Sequence, residues 1–482
     1  MQNRNEIKPE RVFYYFTQIA SIPHGSYHTK QISDYIKDIA LQNGLECHQD
    51  STDNLIIIKE AYTGYENSPT VILQGHIDMV CEKEKDSPIN FETDGLDLYV
   101  EDGFLHARGT TLGGDDGIAV AYALAILEDK DIPHPRLEVV LTTNEEVGLI
   151  GAKEIDLSIL KGSILLNIDS DLEGHFLTSC AGGVTAGIHM PVNRQILQGI
   201  TYRVSLNGLL GGHSGTEIHQ ERANAVLLLA RIIKEAEMTS AFSIVTFFGG
   251  KKDNAIPREA EAELIVEPEY ETIFLDSIQE TVKHLKNEYR DSDSMLAVDV
   301  TRLDIDEAYA LDRASCSKLL FLLRNLPNGV MNRSALDDSF VEASLNCGVM
   351  QLSEEELHLC TSIRSSVSTR KYDLLNRVTF LGEFLGAEVE IYGDYSAWEY
   401  NPDSVVREKI RQVYTNMFGT VPIFEGIHAG LECGVLAPKI HNMDAVSFGP
   451  INLDIHTTME RLDIASVERV YQFLLALLKE MK

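Results

Sequence analysis

The chain has 482 residues, 44% of them hydrophobic and 24% charged, and a formal net charge of −33 at pH 7. That length implies two to three domains with ample core, at roughly 100–200 residues each, and the composition is ordinary for a globular protein. The acidity argues against a nucleic-acid binder, which needs a basic patch, and against docking on an anionic membrane. It leaves room for an anionic substrate held by a local Arg.

No apolar run approaches the ~20 residues of a membrane span, and the opening MQNRNEIKPERVFYYF has no basic-then-apolar leader pattern. The seven cysteines (Cys47, Cys81, Cys180, Cys316, Cys347, Cys360 and Cys433) include no C-x-x-C pair. That fits a reducing compartment rather than a disulfide scaffold or a cysteine–zinc site, and the cytoplasm is the expected location.

Through about residue 185, helix-like and strand-like patterns alternate. RVFYYFTQIASI and KQISDYIKDIALQ have helical spacing. NLIIIKE, TVILQGHID, RLEVVLTTN and GSILLNID read as strands, and GGDDGIAVAYALAILED reads as a helix. Such alternation predicts an α/β layer with a mostly parallel sheet. From 188 onward the texture changes to two rounds of roughly helix–strand–strand–helix–strand, beginning with the strand ITYRVSLNGLL and the helix HQERANAVLLLARIIKEAE. The rounds predict two related α+β units side by side. DSVVREKIRQVYTNMFG, AVSFGP and ASVERVYQFLLALLKEM then return to α/β character. The expected architecture is one α/β catalytic domain made of 1–187 and 393–482, its central sheet flanked by helices, with an α+β domain inserted at 188–392.

The polar groups that stand out share a position. Most fall at the C-terminal end of a predicted strand, where open α/β sheets bind ligands. In VILQGHIDMV (71–80) an apolar run leads to His76 and Asp78, which a period of two places on one face. Glu145 and Glu146 follow RLEVVLTTN, Asp169 follows GSILLNI, and His456 follows AVSFGPINLDI; Asp115 and Asp116 sit in GGDDG before a helix. Each has a plain structural reading. His76 and Asp78 could be a bonded pair at a strand end, Asp115 or Asp116 a helix N-cap, and the others loop or turn residues. Together they are harder to explain, because carboxylates crowded on one sheet edge repel unless cations neutralise them. Imidazoles and carboxylates without thiolates suit zinc, manganese or cobalt. A pair of divalent ions bridged by one carboxylate is a hydrolytic device that activates water and polarises a carbonyl. One of the adjacent glutamates would be a ligand and its neighbour a general base.

The segments G-H-x-D (Gly75 to Asp78), G-x-D-D-G (Gly113 to Gly117), N-E-E-x-G (Asn144 to Gly148) and N-x-D-S (Asn167 to Ser170), with a late His, form an ordered set. It resembles the di-zinc metallopeptidases that include aminoacylase, glutamate carboxypeptidase and peptidase T. TLGGDDGIA, GGHSGTEIH, NAIPRE, IRSS and HAGLECG are similar to their aminoacyl-histidine dipeptidase branch, also called Xaa-His or cytosolic non-specific dipeptidases. The likeness runs in order over nearly the whole chain. It implies a zinc-exopeptidase-like fold in which the inserted domain is a lid. It also implies that His76 and Asp169 hold one metal, Asp115 bridges, and Glu146 and His456 hold the other. Glu145 would be the general base, and Asp78 would orient the His76 ring. From the lid, His213 would steady the oxyanion, Asn254 would touch the substrate, and Arg364 would hold its C-terminal carboxylate. His428 and Glu432 would lie near the substrate. Two stretches depart from the branch: TTMERL after His456, and IHQERANA in place of a more glycine-rich turn.

The expected activity is hydrolysis of unblocked dipeptides, Xaa-His or a broad range, by a water bridged between two divalent metals, zinc first and cobalt or manganese as alternatives. An aminoacylase or tripeptidase on the same centre, or a relative that binds metal without catalysis, are the competing readings. A cysteine or serine hydrolase fits poorly, since GGHSG is not a nucleophile elbow. The resemblance allows a homodimer formed through the lid.

Overall fold

The computed structural model describes residues 7–335 and 338–482. The chain forms two compact units. The first comprises the chain through Cys180 with Trp398–Gly426 and Leu431–Lys482; the second comprises Ala181–Ala397 and Ile427–Gly430. The divisions fall a few residues from 187/188 and 392/393 because the strands Gly182–Pro191 and Glu388–Tyr395 pair along their length. Both therefore belong to one sheet. Among the described residues, no helix is long and apolar enough to cross a membrane.

The first unit is built on an eight-stranded sheet in the order Glu46–Gln49, Leu55–Lys59, Leu137–Thr142, Val71–His76, Ile164–Asn167, Asp444–Ser447, His175–Cys180 and Ile423–Ile427. The middle four strands are parallel. Antiparallel pairing flanks them where Leu55–Lys59 meets Leu137–Thr142 and where Asp444–Ser447 meets His175–Cys180. Val71–His76 and Leu137–Thr142 are buried at every residue, as expected for strands covered on both faces. Helix Gly114–Glu128 is apolar on all sides after its first turn and is buried from Asp116 to Leu127. The closing helix Ile464–Glu480 is amphipathic and seals that core with Val467, Val470, Phe473, Leu474 and Leu477. Asp463 caps its N-terminus by accepting the Ser466 N–H.

A small four-stranded sheet of Asn452–Leu453, Arg461–Asp463, Phe104–Ala107 and Leu98–Glu101 has no counterpart in the sequence reading. Its strands are short and partly polar, so they carry little periodic signal. It matters because it frames the loop bearing His456.

In the second unit one antiparallel sheet runs Ala297–Arg302, Ile200–Asn207, Ala260–Val266, Phe242–Gly249, Val341–Leu352, Glu356–Ser365, Gly182–Pro191, Glu388–Tyr395. A strand–helix–strand–strand–helix–strand succession occurs twice, the first nested between Gly182–Pro191 and helix Arg313–Asn325. The two successions meet edge to edge through Phe248–Gln351 and Gly249–Met350. Helix Ala225–Glu237 starts later than HQERANAV suggests, because Asn224 is its N-cap and accepts the N–H groups of Val226 and Leu227.

Candidate metal centre and its surroundings

His76 ends the central strand. Its Nδ1 donates to the carbonyl of Asp78 at 3.0 Å, which fixes the tautomer and turns Nε2 outward. Nε2 then lies 3.0 Å from Asp115 Oδ1 and 3.9 Å from Asp169 Oδ1. The Asp78 carboxylate is 3.5 Å from His76 Nδ1. Its firmer bonds are to the Glu145 N–H at 3.0 Å and the Ser26 hydroxyl at 2.8 Å. Asp78 thus braces the imidazole and the Glu145–Glu146 turn together.

Asp115 occupies the middle of the cluster. One oxygen faces His76 Nε2, and the other lies 3.2 Å from His456 Nε2. His456 Nε2 is also 2.9 Å from Glu146 Oε1. A carboxylate whose two oxygens meet two different imidazoles has the geometry of a bridge. Neither Asp115 nor Asp116 caps the helix, whose first residues follow Gly113 in the left-handed region at φ 68°. Asp116 is buried and accepts the His76 N–H at 3.2 Å. This contact requires Gly75, where a Cβ would stand 2.4 Å from Asp116 Oδ2.

The loop that presents Asp115 is held by a residue the sequence reading passed over. The buried Glu460 carboxylate accepts the backbone N–H groups of Leu112 at 2.7 Å, Gly113 at 3.1 Å and Gly114 at 2.8 Å, and the Asn452 amide at 3.1 Å. The acidic residue in TTMERL was the available signal. Glu432, expected near substrate, is instead fully buried. It accepts from Gln74 Nε2 and, at 2.7 Å, from the Thr142 hydroxyl, while Gln74 Oε1 accepts the Asn167 amide at 2.6 Å. This network ties the ends of three parallel strands beneath the cluster.

Three overlapping sets have ligand atoms mutually within 4.8 Å: His76, Asp116 and Asp169; His76, Glu145 and Glu146; Asp115, Glu146 and His456. Their electrostatics show strain that cations would relieve. Burial opposes charge on His76, yet hydrogen bonds to Asp115 and Asp78 and the nearby charge of Asp169 hold its pKa well above the usual imidazole range. His456 is pushed up to about 10 by its bonds to Asp115 and Glu146. Desolvation drives Glu145 up to about 8, helped by Glu432, Glu146 and Asp115 against the pull of His76. Asp169 is raised well above the carboxylate range, first by burial and then by Asp116. Carboxylates crowded in this way repel unless positive charge is placed among them. The donor set of two outward imidazoles, a shared carboxylate and further carboxylates fits two divalent cations.

The second unit holds its own cluster. The strand Gly212–His213 pairs with Ala255–Ile256. His213 Nδ1 accepts the N–H groups of Gly215 at 3.2 Å and Thr216 at 3.1 Å, so the ring proton sits on Nε2, which is a donor. Exposed Asn254 lies in the same turn, where its carbonyl accepts the Ser214 N–H at 2.9 Å. His428 Nε2 is 2.7 Å from the Ser344 hydroxyl. Burial, aided by the Arg364 charge, pushes His428 down to about 3, and the same two causes lower His213. Arg364 donates to the Tyr395 hydroxyl at 2.9 Å, and its buried Nε has no partner among the described residues.

The model of peptidase family M20/M25/M40 matches residues 72–480. The cytosol non-specific dipeptidase of Escherichia coli (strain K12) is 36% identical over 482 residues, 100% of this chain and 99% of that protein. The crystal structure of aminoacylhistidine dipeptidase from Vibrio alginolyticus superimposes with a TM-score of 0.94 at 34% identity, over 99% of this chain and 98% of that one. A tripeptidase from Staphylococcus aureus shares the fold at a TM-score of 0.57 and 17% identity, over 98% and 99% of the two chains. This chain belongs to peptidase family M20/M25/M40.

Proposed function

We propose that this chain is a metal-dependent dipeptidase acting on unblocked dipeptides, Xaa-His or a broad range, in the cytoplasm. The observation that carries the reading is Asp115, with one oxygen toward His76 and the other toward His456. His76 and Asp169 would hold one divalent cation, Glu146 and His456 the other, and Asp115 both; zinc is the first choice, cobalt or manganese the alternatives. When bound, the pair supplies Lewis acidity that activates water and polarises the peptide carbonyl. Glu145 takes the proton from water and returns it to the departing amine. Desolvation raises its affinity for that proton. Asp78 keeps Glu145 in place through its backbone N–H. Asp116 steadies the backbone of His76.

The second unit would serve as the lid. His213 has an Nε2–H that would serve an oxyanion, and the Arg364 guanidinium would suit the substrate's terminal carboxylate. The Escherichia coli and Vibrio alginolyticus relatives bear dipeptidase names, and these support the substrate class. The test is metal-stripped protein with zinc, manganese or cobalt restored, assayed on Xaa-His, carnosine, other dipeptides, a tripeptide and an N-acetyl amino acid. Restored cleavage confined to free dipeptides is the expected result. Preferred cleavage of the tripeptide or the acetylated compound would move the reading to a tripeptidase or aminoacylase.

A further inference from the structure

The second unit carries another set of metal-ligand side chains, none of them used above. The strands Glu356–Ser365, Gly182–Pro191 and Glu388–Tyr395 lie side by side. Their register sets His358 beside His189, and His189 beside Glu388; one step along, Cys360 pairs with Gly187, and Gly187 with Glu390. Alternation puts all of these on one face. The opposite face carries Ile188 and Val389, against which Gly382 of helix Ser368–Phe384 packs.

The rings of His189 and His358 are stacked, with centroids 4.6 Å apart and planes 24° from parallel. Cys360 Sγ lies 3.3 Å from His358 Nε2 and 3.4 Å from the Tyr392 hydroxyl. Glu390 Oε2 is 3.9 Å from His189 Nε2, and Glu356 Oε1 is 3.5 Å from its Nδ1. Gly187 sits at the centre. A Cβ there would be 3.5 Å from Tyr392 Cε1, 3.6 Å from His189 Nε2 and 3.8 Å from His358 Nε2, so both nitrogens and the edge of the Tyr392 ring converge over a position with no side chain. Alongside opens a cleft of about 790 Å³, lined by His189, Glu354, Glu355, Glu356 and Glu388 among others.

Two imidazoles this close repel if both are protonated. Two imidazole nitrogens brought together over Gly187 in an acidic setting suit a divalent cation. Two imidazoles, a thiolate and a carboxylate form a set that zinc takes in tetrahedral sites, with bonds of about 2.0–2.3 Å and hence ligand atoms ~3.3–3.8 Å apart. The 3.3 Å between Cys360 Sγ and His358 Nε2 already has this spacing, whereas no three of the four ligand atoms lie mutually within 4.8 Å, so binding would draw the others in. Glu390, 68% exposed, is free to swing inward.

We propose that His189, His358, Cys360 and Glu390 form a third divalent-metal site, for zinc or a similar transition ion, that ties three strands of this sheet together. Binding forms a metal–sulfur bond, and the thiol proton of Cys360 passes to solvent.

Cobalt(II) added to the whole protein reads this site by itself. Thiolate ligation gives an intense near-ultraviolet charge-transfer band, and the carboxylate centre contains no thiolate. The expected result is that band together with a third cobalt ion per chain. Cys360→Ser and His358→Gln should each abolish the band and the third ion while leaving dipeptide turnover unchanged. Asp115→Ala should keep the band. No band at saturating cobalt would overturn the proposal, and so would a band that survives Cys360→Ser, since it would arise from another thiol such as the exposed Cys81.

Discussion

The two units build opposite kinds of polar cluster from similar side chains. In the first, carboxylates of Asp115, Glu145, Glu146 and Asp169 crowd two imidazoles, and His76 and His456 are driven toward protonation. In the second, Arg364 stands beside His213 and His428, and both imidazoles are driven toward neutrality. One arrangement calls for cations and the other for an anion. The charge placed next to an imidazole and the depth at which it is buried suit the same residue type to ligating a metal in one unit and to donating a proton to an anion in the other.

That contrast can be broken from either side. Glu145→Gln removes the proton acceptor without removing a ligand, and turnover should fall by about 10²–10⁴ while metal content is kept. Retained turnover would end the base assignment. His213→Ala should cost about 10²–10³ in kcat with metal content unchanged; a loss of metal instead would mean that His213 belongs to the cation-binding cluster. Glu460→Gln leaves shape but weakens the clamp that holds the backbone N–H groups of Leu112, Gly113 and Gly114. Metal affinity should drop about 10–100-fold, as for other residues that support ligands from behind, read by competition with a chelator.

The smallest effect concerns pH. Folded His428 stays neutral down to about 3, whereas in the unfolded chain it takes a proton near 6.5, as a model imidazole does. Between these values the unfolded state binds more protons. His428 therefore makes stability decline as pH falls through that window, by at most about 1.4 kcal/mol per pH unit. Denaturant unfolding of His428→Gln should show a shallower acid slope than the parent. An identical slope would mean that His428 is already charged in the folded protein.

Much of the first unit was legible because its strands and helices are long and strongly patterned. TVILQGHID and RLEVVLTTN are apolar runs that could only be buried, and their ends displayed His76, Glu145 and Glu146. What escaped was context. The polar strands framing His456 are two to four residues long, below the length at which periodicity speaks. Glu460 and Gln74 act through backbone and amide contacts set by tertiary packing; Glu460 showed only as an acidic residue in TTMERL, and nothing local announces Gln74. Glu432 shows the reverse error. Its motif suggested nearness to substrate, but full burial and its bonds to Gln74 and Thr142 make it part of the floor.

The central claim is that Asp115 is shared between two cations. The direct measurement is metal content after zinc loading and desalting, made in a Cys360→Ser background so that only the carboxylate centre is counted. The account predicts two zinc ions per chain when Asp115 is intact, two in Glu145→Gln, and fewer than one in Asp115→Ala, because removing a bridge weakens both sites at once. Two tightly held ions in Asp115→Ala would contradict it.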